Sequence, residues 1–403
     1  MLLLFLQYLS ETLHFKIPAA FSYSSTRMLF AAITTLCATI LLGPLFIRKL
    51  YELKTGRSIR VEDCPGLAKL HEKKKDTPTM GGIFMLCSMI LALLLWMDLT
   101  SPFTLILLLT TLYLGFVGGV DDYLKMKYQN SKGLSTKKKF LLQVLFASII
   151  GLYLLWPAFT NSIKIKGWFA PPYAKEYVAK PEQSKTQALS TQEYMARFYL
   201  PFIKDPLFTL RGALIILAWL IIIFVITGSS NAVNLTDGLD GLAAGSLVLT
   251  SAVLAVFAFL SNNSSISRYL NILYIEGSGE IAVYLCALIG ACLGFLWYNG
   301  HPAQIFMGDT GSLALGGIIG VSSILLRREA ILALAGGIFV LEALSVIIQV
   351  GSYKLREKKR VFLCAPLHHH FEYKGWPETK VVLRFWIIGL ILALIALTSI
   401  KIQ

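Results

Sequence analysis

The sequence is short of charge, and of acid above all. Only 15% of its 403 residues are charged, with 23 Asp and Glu against 37 Lys and Arg, too few to solvate the surface of ordinary soluble domains. The six cysteines (Cys37, Cys64, Cys87, Cys286, Cys292, Cys364) show no CxxC or metal-ligand spacing, which argues against a thiolate cage or redox pair. Cys37, Cys87, Cys286 and Cys292 fall in apolar runs and read as packing residues. Walker A, GxGxxG, GxSxG and HExxH patterns are all missing, which removes the common signatures of P-loop, dinucleotide-binding, hydrolase and zinc-protease chemistry. The apolar start Met1–Leu13 has no basic leader and no small-residue cleavage site, and Glu11 and His14 interrupt it. It reads as a retained interfacial segment. No repeat of fixed period is visible, so a single integral domain over 1–403 is the simplest organisation.

What the sequence has in quantity is hydrocarbon. Hydrophobic residues make up 56% of the chain and the mean hydropathy is +0.66. Crossing a bilayer core takes roughly 20 helical residues, and runs of suitable length occur near 27–47, 80–97, 103–120, 139–157, 212–228, 238–260, 280–298, 309–326, 330–351 and 382–400. The fold expected is all-α: a polytopic membrane protein of about ten helices. Glycine pairs such as Gly118-Gly119 and Gly316-Gly317 allow close helix packing. In such a chain the net charge of +14 serves topology and anionic headgroups, and no nucleic acid is expected.

Basic residues crowd the loops 48–79, 121–138 and 352–381, which the positive-inside bias places in the cytoplasm. With ten spans, 229–237 and 299–308 share that side, and both termini lie on the other. The segment 158–211 becomes a long periplasmic loop. Its eight basic residues matter little, because long loops translocate largely regardless of charge. Pro171-Pro172, Pro181 and a Ser/Thr/Gln-rich stretch mark it as irregular, with a short helix around Gln192–Tyr199. No chemistry is assigned to it.

The few acids collect at span ends. The third span closes on Asp121-Asp122 with Lys125 one turn further, so that Lys125 can pair one carboxylate and leave the other free. The fifth runs into Asn231, Asn234, Thr236, Asp237 and Asp240, with Gly238, Gly241 and Gly245 interleaved. Each i, i+3 pair would share a face if helical, and Thr236 is placed to cap the sixth helix, whose N-terminus suits a phosphate or nucleotide. Asn299 and Phe306 lead to Asp309, which sits just before a helix as a possible N-cap. Together with the other acids it is a candidate ligand for Mg²⁺, which takes one or two carboxylates along with substrate phosphate oxygens. The run His368-His369-His370 suggests zinc at first sight, but adjacent side chains diverge, and phosphate or sugar hydrogen bonding suits it better. Loops gathered on one leaflet with carboxylates, Lys, Asn, His and helix termini fit phosphoryl transfer to a lipid phosphate. A secondary transporter is the competing class, hinted at by Glu342 and Gln349 within the ninth span. Transporter sites lie near the midplane, however, whereas these acids sit at span ends. Glu342 is expected to hydrogen-bond within a bent helix.

These motifs resemble the phospho-N-acetylmuramoyl-pentapeptide-transferase family, of the polyprenyl-phosphate N-acetylhexosamine-1-phosphate transferase superfamily, along the whole chain. The likeness rests on His71-x-x-Lys74-x-x-Thr77-Pro78-Thr79-Met80-Gly81-Gly82, Asp121-Asp122-x-x-Lys125, the Asn231–Ala243 run, Phe306-Met-Gly-Asp309 and Pro366-Leu-His368-His369-His370-Phe-Glu. It implies Mg²⁺-dependent transfer of phospho-N-acetylmuramoyl-pentapeptide from its UDP carrier to undecaprenyl phosphate, giving lipid I and UMP. The setting implied is the bacterial inner membrane, with the active site facing the cytoplasm and the enzyme a homodimer among membrane lipids. By the same resemblance Asp309 is the metal ligand, Asp121 the base, Asp122 a supporting carboxylate and Lys125 a neutraliser of phosphate. Lys74, Asn231, Asn234, Asp237, Asp240, Asn299 and Phe306 line the nucleotide-sugar pocket, and His368, His369 and His370 complete it. The segment 158–211 is expanded relative to the family pattern. The nearest rival within the superfamily transfers N-acetylglucosamine 1-phosphate, and the histidine run favours the muramoyl substrate. A one-step attack and a route through an aspartyl intermediate both need an Asp near a metal.

Overall fold

A computed structural model describes residues 12, 21, 23–53, 74, 77–128, 133–156, 172–180 and 183–400. The start of the chain apart from Thr12 and Phe21, most of the loop 48–79 with Cys64 and His71, and residues 157–171 of the long loop lie outside the described residues. Among the described residues, nine helices are long and apolar enough to cross a membrane, and a tenth, Gly81–Trp96, is apolar but shorter. In chain order the helices are α1 (Ser24–Glu52), α2 (Gly81–Trp96), α3 (Pro102–Lys127), α4 (Thr136–Leu155), a single short turn α5 (Thr191–Met195), α6 (Ile215–Thr236), α7 (Leu242–Ser261), α8 (Ser264–Tyr269), α9 (Gly279–Asn299), α10 (Gly308–Leu325), α11 (Glu329–Ala335), α12 (Gly337–Leu355), α13 (Leu367–Tyr373) and α14 (Glu378–Thr398). The all-α polytopic architecture expected from hydropathy is the one observed.

α10 is the axis of the bundle, with 94% of its apolar stretch buried. Small residues let its neighbours close in. Gly316 lies against the backbone of Ser229 and Ser230 in α6, and Gly317 against Leu114 in α3. α1 and α12 are at the rim, with about a fifth of their apolar stretches covered, and they present Leu29, Leu41, Leu45, Ile347 and Leu355 outward. Lipid is the solvent for such side chains.

Several boundaries differ from the sequence reading. α3 does not stop at 120 but carries Asp121, Asp122 and Lys125 within its last turns, so the loop expected over 121–138 shrinks to the residues between Lys127 and Thr136. Residues 229–236, expected as loop, are the last turns of α6. Thr236 does not cap the next helix. Its hydroxyl donates back to Ala232 O at 2.8 Å, and the N-cap of α7 is Gly241 at φ 79°, a left-handed conformation open to glycine without a Cβ clash. The span expected over 330–351 is broken at Gly336 into α11 and α12, and the loop 352–381 holds α13.

The segment 158–211 contains strands that periodicity did not reveal. β1 (Ala174–Lys180) pairs antiparallel with β2 (Gln183–Leu189) and, at Ala174 and Lys175, with β5 (Tyr274–Ile275). A second small ladder joins β3 (Arg197–Phe198) to β4 (Phe208–Thr209). The short helix is α5, opened by a capping box between Ser190 and Glu193. This assembly packs on the bundle end opposite the acidic clusters. Tyr194 OH donates to Leu325 O at 2.7 Å, at the C-terminus of α10, whereas the acids surround that helix's N-terminus.

Candidate active site

Two clusters of acidic groups form at one end of the bundle. The first comes from the end of α3, the start of α4, the end of α6 and the start of α10. Asp121, Asp122 and Asp309 each place a carboxylate oxygen within 4.8 Å of the others. The helices can come this close because a Cβ on Gly118 would sit 2.3 Å from Asp309 O.

The three aspartates have different jobs. Asp122 is buried, and its two oxygens accept from Asp309 N (3.1 Å), Thr310 N (2.9 Å) and Thr310 Oγ1 (2.7 Å). It therefore caps α10 from another helix, satisfying N–H groups that have no intrahelical acceptor and countering the positive helix end. Asp309 lies inside the first turn of α10 and is not the N-cap its sequence position suggested. Gly308, at φ 75°, allows the turn, and a Cβ there would strike the Asp122 carboxylate at 2.7 Å.

Asp121 and Asp309 face each other through two lysines. Lys125 Nζ is 2.5 Å from Asp121 Oδ2 and 3.0 Å from Asp309 Oδ2. Lys139 Nζ bonds the same Asp309 oxygen and lies 3.3 Å from Asp121 Oδ2. The remaining oxygens are held by neutral donors: Asp121 Oδ1 by Leu134 N at 2.8 Å, and Asp309 Oδ1 by Asn234 Nδ2 at 2.9 Å. Asn234 also reaches Ser312 Oγ at 2.8 Å. A hard divalent cation fits this donor set. The two Oδ2 atoms converge on one region of positive charge, supplied by the Lys125 and Lys139 ammonium groups.

The second cluster joins Lys74, Asp240, His301 and Glu378. Lys74 Nζ lies 2.6 Å from both Asp240 Oδ1 and Glu378 Oε1. Asp240 Oδ2 accepts from Ala303 N at 3.1 Å and meets His301 Nδ1 at 2.9 Å, while Asp240 N donates to Glu378 Oε1 at 2.7 Å. Asn299 completes the tie, its Oδ1 accepting from Gly241 N and its Nδ2 donating to Ile305 O. Although Asp240, His301 and Glu378 have ligand atoms as closely spaced as those of the first cluster, their oxygens are spent on backbone N–H groups and Lys74. This is a brace between three loops. Phe306 belongs to the same structure through its backbone, donating to Pro78 O and accepting from Gly81 N.

Other expected site residues are placed apart from the aspartates. Asn231 donates to Gln143 Oε1 at 2.7 Å and Thr227 O at 2.8 Å, bracing α6 on α4. Asp237 is half-buried in the turn after α6, its N–H on Val233 O. The histidines diverge as adjacent side chains must. His368 is fully buried, with Nδ1 3.1 Å from Glu342 Oε2 and Nε2 so near Gly238 that a Cβ there would come within 2.2 Å. His369 Nδ1 is 2.6 Å from Glu372 Oε2. His370 Nδ1 accepts from Leu363 N at 3.1 Å, and partial burial together with the nearby Lys374 lowers its pKa. Glu342 therefore reaches across to α13, its Oε1 accepting from His368 N at 3.2 Å and its Oε2 lying near the His368 ring, and is not bonded within a bent helix of its own. Sequence reasoning missed Lys139, Thr310, His301 and Glu378 as participants. The one usable signal was Lys137-Lys138-Lys139 opening an apolar run, where the last lysine enters the first helical turn and must turn inward.

Comparison with known proteins agrees with the geometry. Residues 104–327 match the family model for glycosyl transferase family 4, and residues 74–86 match signature 1 of the phospho-N-acetylmuramoyl-pentapeptide-transferases. A protein of that name from Protochlamydia amoebophila is 60% identical over 410 aligned positions covering 100% of both chains. Namesakes from Desulfotalea psychrophila and Thermodesulfovibrio yellowstonii are each 44% identical over 95% of both chains.

Proposed function

From the premise that this chain belongs to the phospho-N-acetylmuramoyl-pentapeptide-transferase family of the family 4 glycosyl transferases, we infer that the Asp121–Asp309 cluster is where its transfer occurs. The enzyme is a multi-pass membrane phospho-sugar transferase of peptidoglycan synthesis. It moves phospho-N-acetylmuramoyl-pentapeptide from UDP-N-acetylmuramoyl-pentapeptide to undecaprenyl phosphate, yielding lipid I and UMP. A bond forms between a lipid phosphate oxygen and the sugar-bearing phosphorus, and the bond from that phosphorus to UMP breaks.

The observation that carries the assignment is the sharing of two carboxylates by two lysines at the N-terminus of α10. Mg²⁺, held by Asp309, would neutralise phosphate oxygens and the departing UMP. Lys125 and Lys139, gathered at the same carboxylates, would donate to phosphate, which is the electrostatic work phosphoryl transfer most needs. Asp121, held by Leu134 N, is the group placed to take a proton from the lipid phosphate. Asp122 acts by fixing the first turn of α10 and is a positioning residue. Lys74, Asp240, Asn299 and Phe306 shape the wall on which the nucleotide sugar rests, with Asn231, Asp237 and the histidine helix behind it.

We place this face in the cytoplasm of a bacterial inner membrane, because the lysines at the ends of α3, α4 and α12 flank it and the soluble UDP-sugar is made there. We propose further that the enzyme works as a homodimer. Substrate choice is tested by supplying radiolabelled UDP-sugars with undecaprenyl phosphate. Lipid label from the muramoyl-pentapeptide nucleotide is expected, and label from UDP-N-acetylglucosamine alone would replace the assignment with that of the rival transferase.

A further inference from the structure

We propose that the groove between α13 and α14 is a binding site for an anionic phospholipid of the surrounding bilayer. Phe371, Trp376, Arg384, Phe385, Ile387 and Ile388 line a cavity of about 290 Å³. Phe371 and Trp376 stack at 4.7 Å, and three cations ring them. Arg384 lies over the Trp376 ring at 4.2 Å, Lys380 over the same ring at 5.5 Å and Lys374 over Phe371 at 5.9 Å.

The charges are what commit the groove to an anion. Arg384 lies about 9 Å along α14 from Glu378, at ~1.5 Å per residue, within a helix apolar enough to span a membrane. Among the described residues no carboxylate or carbonyl accepts from it, and its structural contact is the indole. The two carboxylates of the same segment are already engaged, Glu372 by His369 and Glu378 by Lys74. A guanidinium offers five donors and keeps its charge, and Arg384, exposed two turns into a membrane helix, is open to an anionic partner at the headgroup level. A phosphodiester headgroup supplies that partner, and its acyl chain would lie on Phe385, Ile387 and Ile388. Basic pockets between membrane helices on the side of the cytoplasmic loops recognise headgroups in this way. The acceptor lipid is a poorer occupant, because its phosphate must reach Lys125 and Asp309, on helices that do not line this groove.

The test uses the full chain in nanodiscs of phosphatidylcholine carrying graded amounts of brominated phosphatidylglycerol or brominated phosphatidylcholine. Quenching of Trp376 is read as the difference between the wild type and Trp376→Phe. The anionic lipid should saturate the quenching at a lower mole fraction, and Arg384→Gln should weaken that response roughly fivefold with transfer activity in detergent unchanged. Native mass spectrometry of the wild type should show phosphatidylglycerol retained over phosphatidylcholine, independently of any variant. Equal response to both lipids, or no change with Arg384→Gln, would overturn the proposal. So would displacement of the quencher by one equivalent of polyprenyl phosphate, which would assign the groove to the acceptor.

Discussion

Both ends of the bundle bury opposite charges, and they do so in different ways. At the end away from the aspartates, Arg327 donates to Glu329 and to Arg197 O, and Arg27 pairs with Glu280 at 2.6 Å while also reaching Trp96 O. Glu280 in turn accepts from Asp98 N at 3.0 Å. Each ion pair is tied to main chain, so it cannot move without breaking the fold. At the other end, Lys125 and Lys139 converge on the same two carboxylate oxygens. Two cations on shared acceptors, with no backbone anchor of their own among the described residues, can exchange partners when a metal or a phosphate arrives. The Lys74–Asp240–Glu378 cluster, at the near end, is intermediate: Lys74 bonds only side chains, but Asp240 Oδ2 and Glu378 Oε1 both accept from main-chain N–H groups.

The contrast can be broken in order of expected effect. Asp309→Asn should lower transfer by about 10³-fold, the scale of losing a preorganised charge at a reacting phosphate, with the thermal unfolding midpoint almost unchanged. Wild-type UMP release by the variant would remove Asp309 from the site. Arg327→Met should do the reverse: stability falls by about 3 kcal/mol because Glu329 is left buried and unpaired, while kcat of the folded fraction stays within a factor of about two. A detergent melting curve together with a rate normalised to folded protein decides this, and an intact melting curve would show the far-end pair to be dispensable. Lys139→Gln should have a smaller and mixed effect. Turnover should fall about tenfold for the loss of one charged hydrogen bond, yet less Mg²⁺ should be needed for half-maximal rate, because one competing ammonium is gone. An increased Mg²⁺ requirement would mean that the lysine helps to hold the metal site together.

Much of this was legible in the sequence. Hydropathy marked, among the described residues, the nine helices long and apolar enough to cross a membrane and the shorter apolar α2. The scarcity of acid made the acids at span ends conspicuous. Lys125 could be paired with Asp121 because i and i+4 share a helical face. Partner choice across the fold was not legible. Adjacent Asp121 and Asp122 look alike on paper, but Asp122 caps α10 and Asp121 meets the lysines, a difference set by the close approach at Gly118. Lys139 was hidden because hydropathy placed it at the edge of a span. Glu342 was assigned to its own helix because its partner, His368, lies beyond a loop that has no periodicity. The β1–β2 hairpin escaped because its polar, lysine-containing strands show no half-buried alternation. The break at Gly336 fell inside an otherwise continuous apolar run.

The central claim is that Asp309, in the cluster with Asp121, and not the equally compact Asp240–His301–Glu378 cluster, takes the divalent cation. Binding of Mn²⁺ to the detergent-solubilised full chain, followed by electron paramagnetic resonance, tests it without reference to turnover. The account predicts a site that Asp309→Asn abolishes and Glu378→Gln leaves intact. Retention of that site in Asp309→Asn, with its loss in Glu378→Gln, would contradict the account and move the metal to the other cluster.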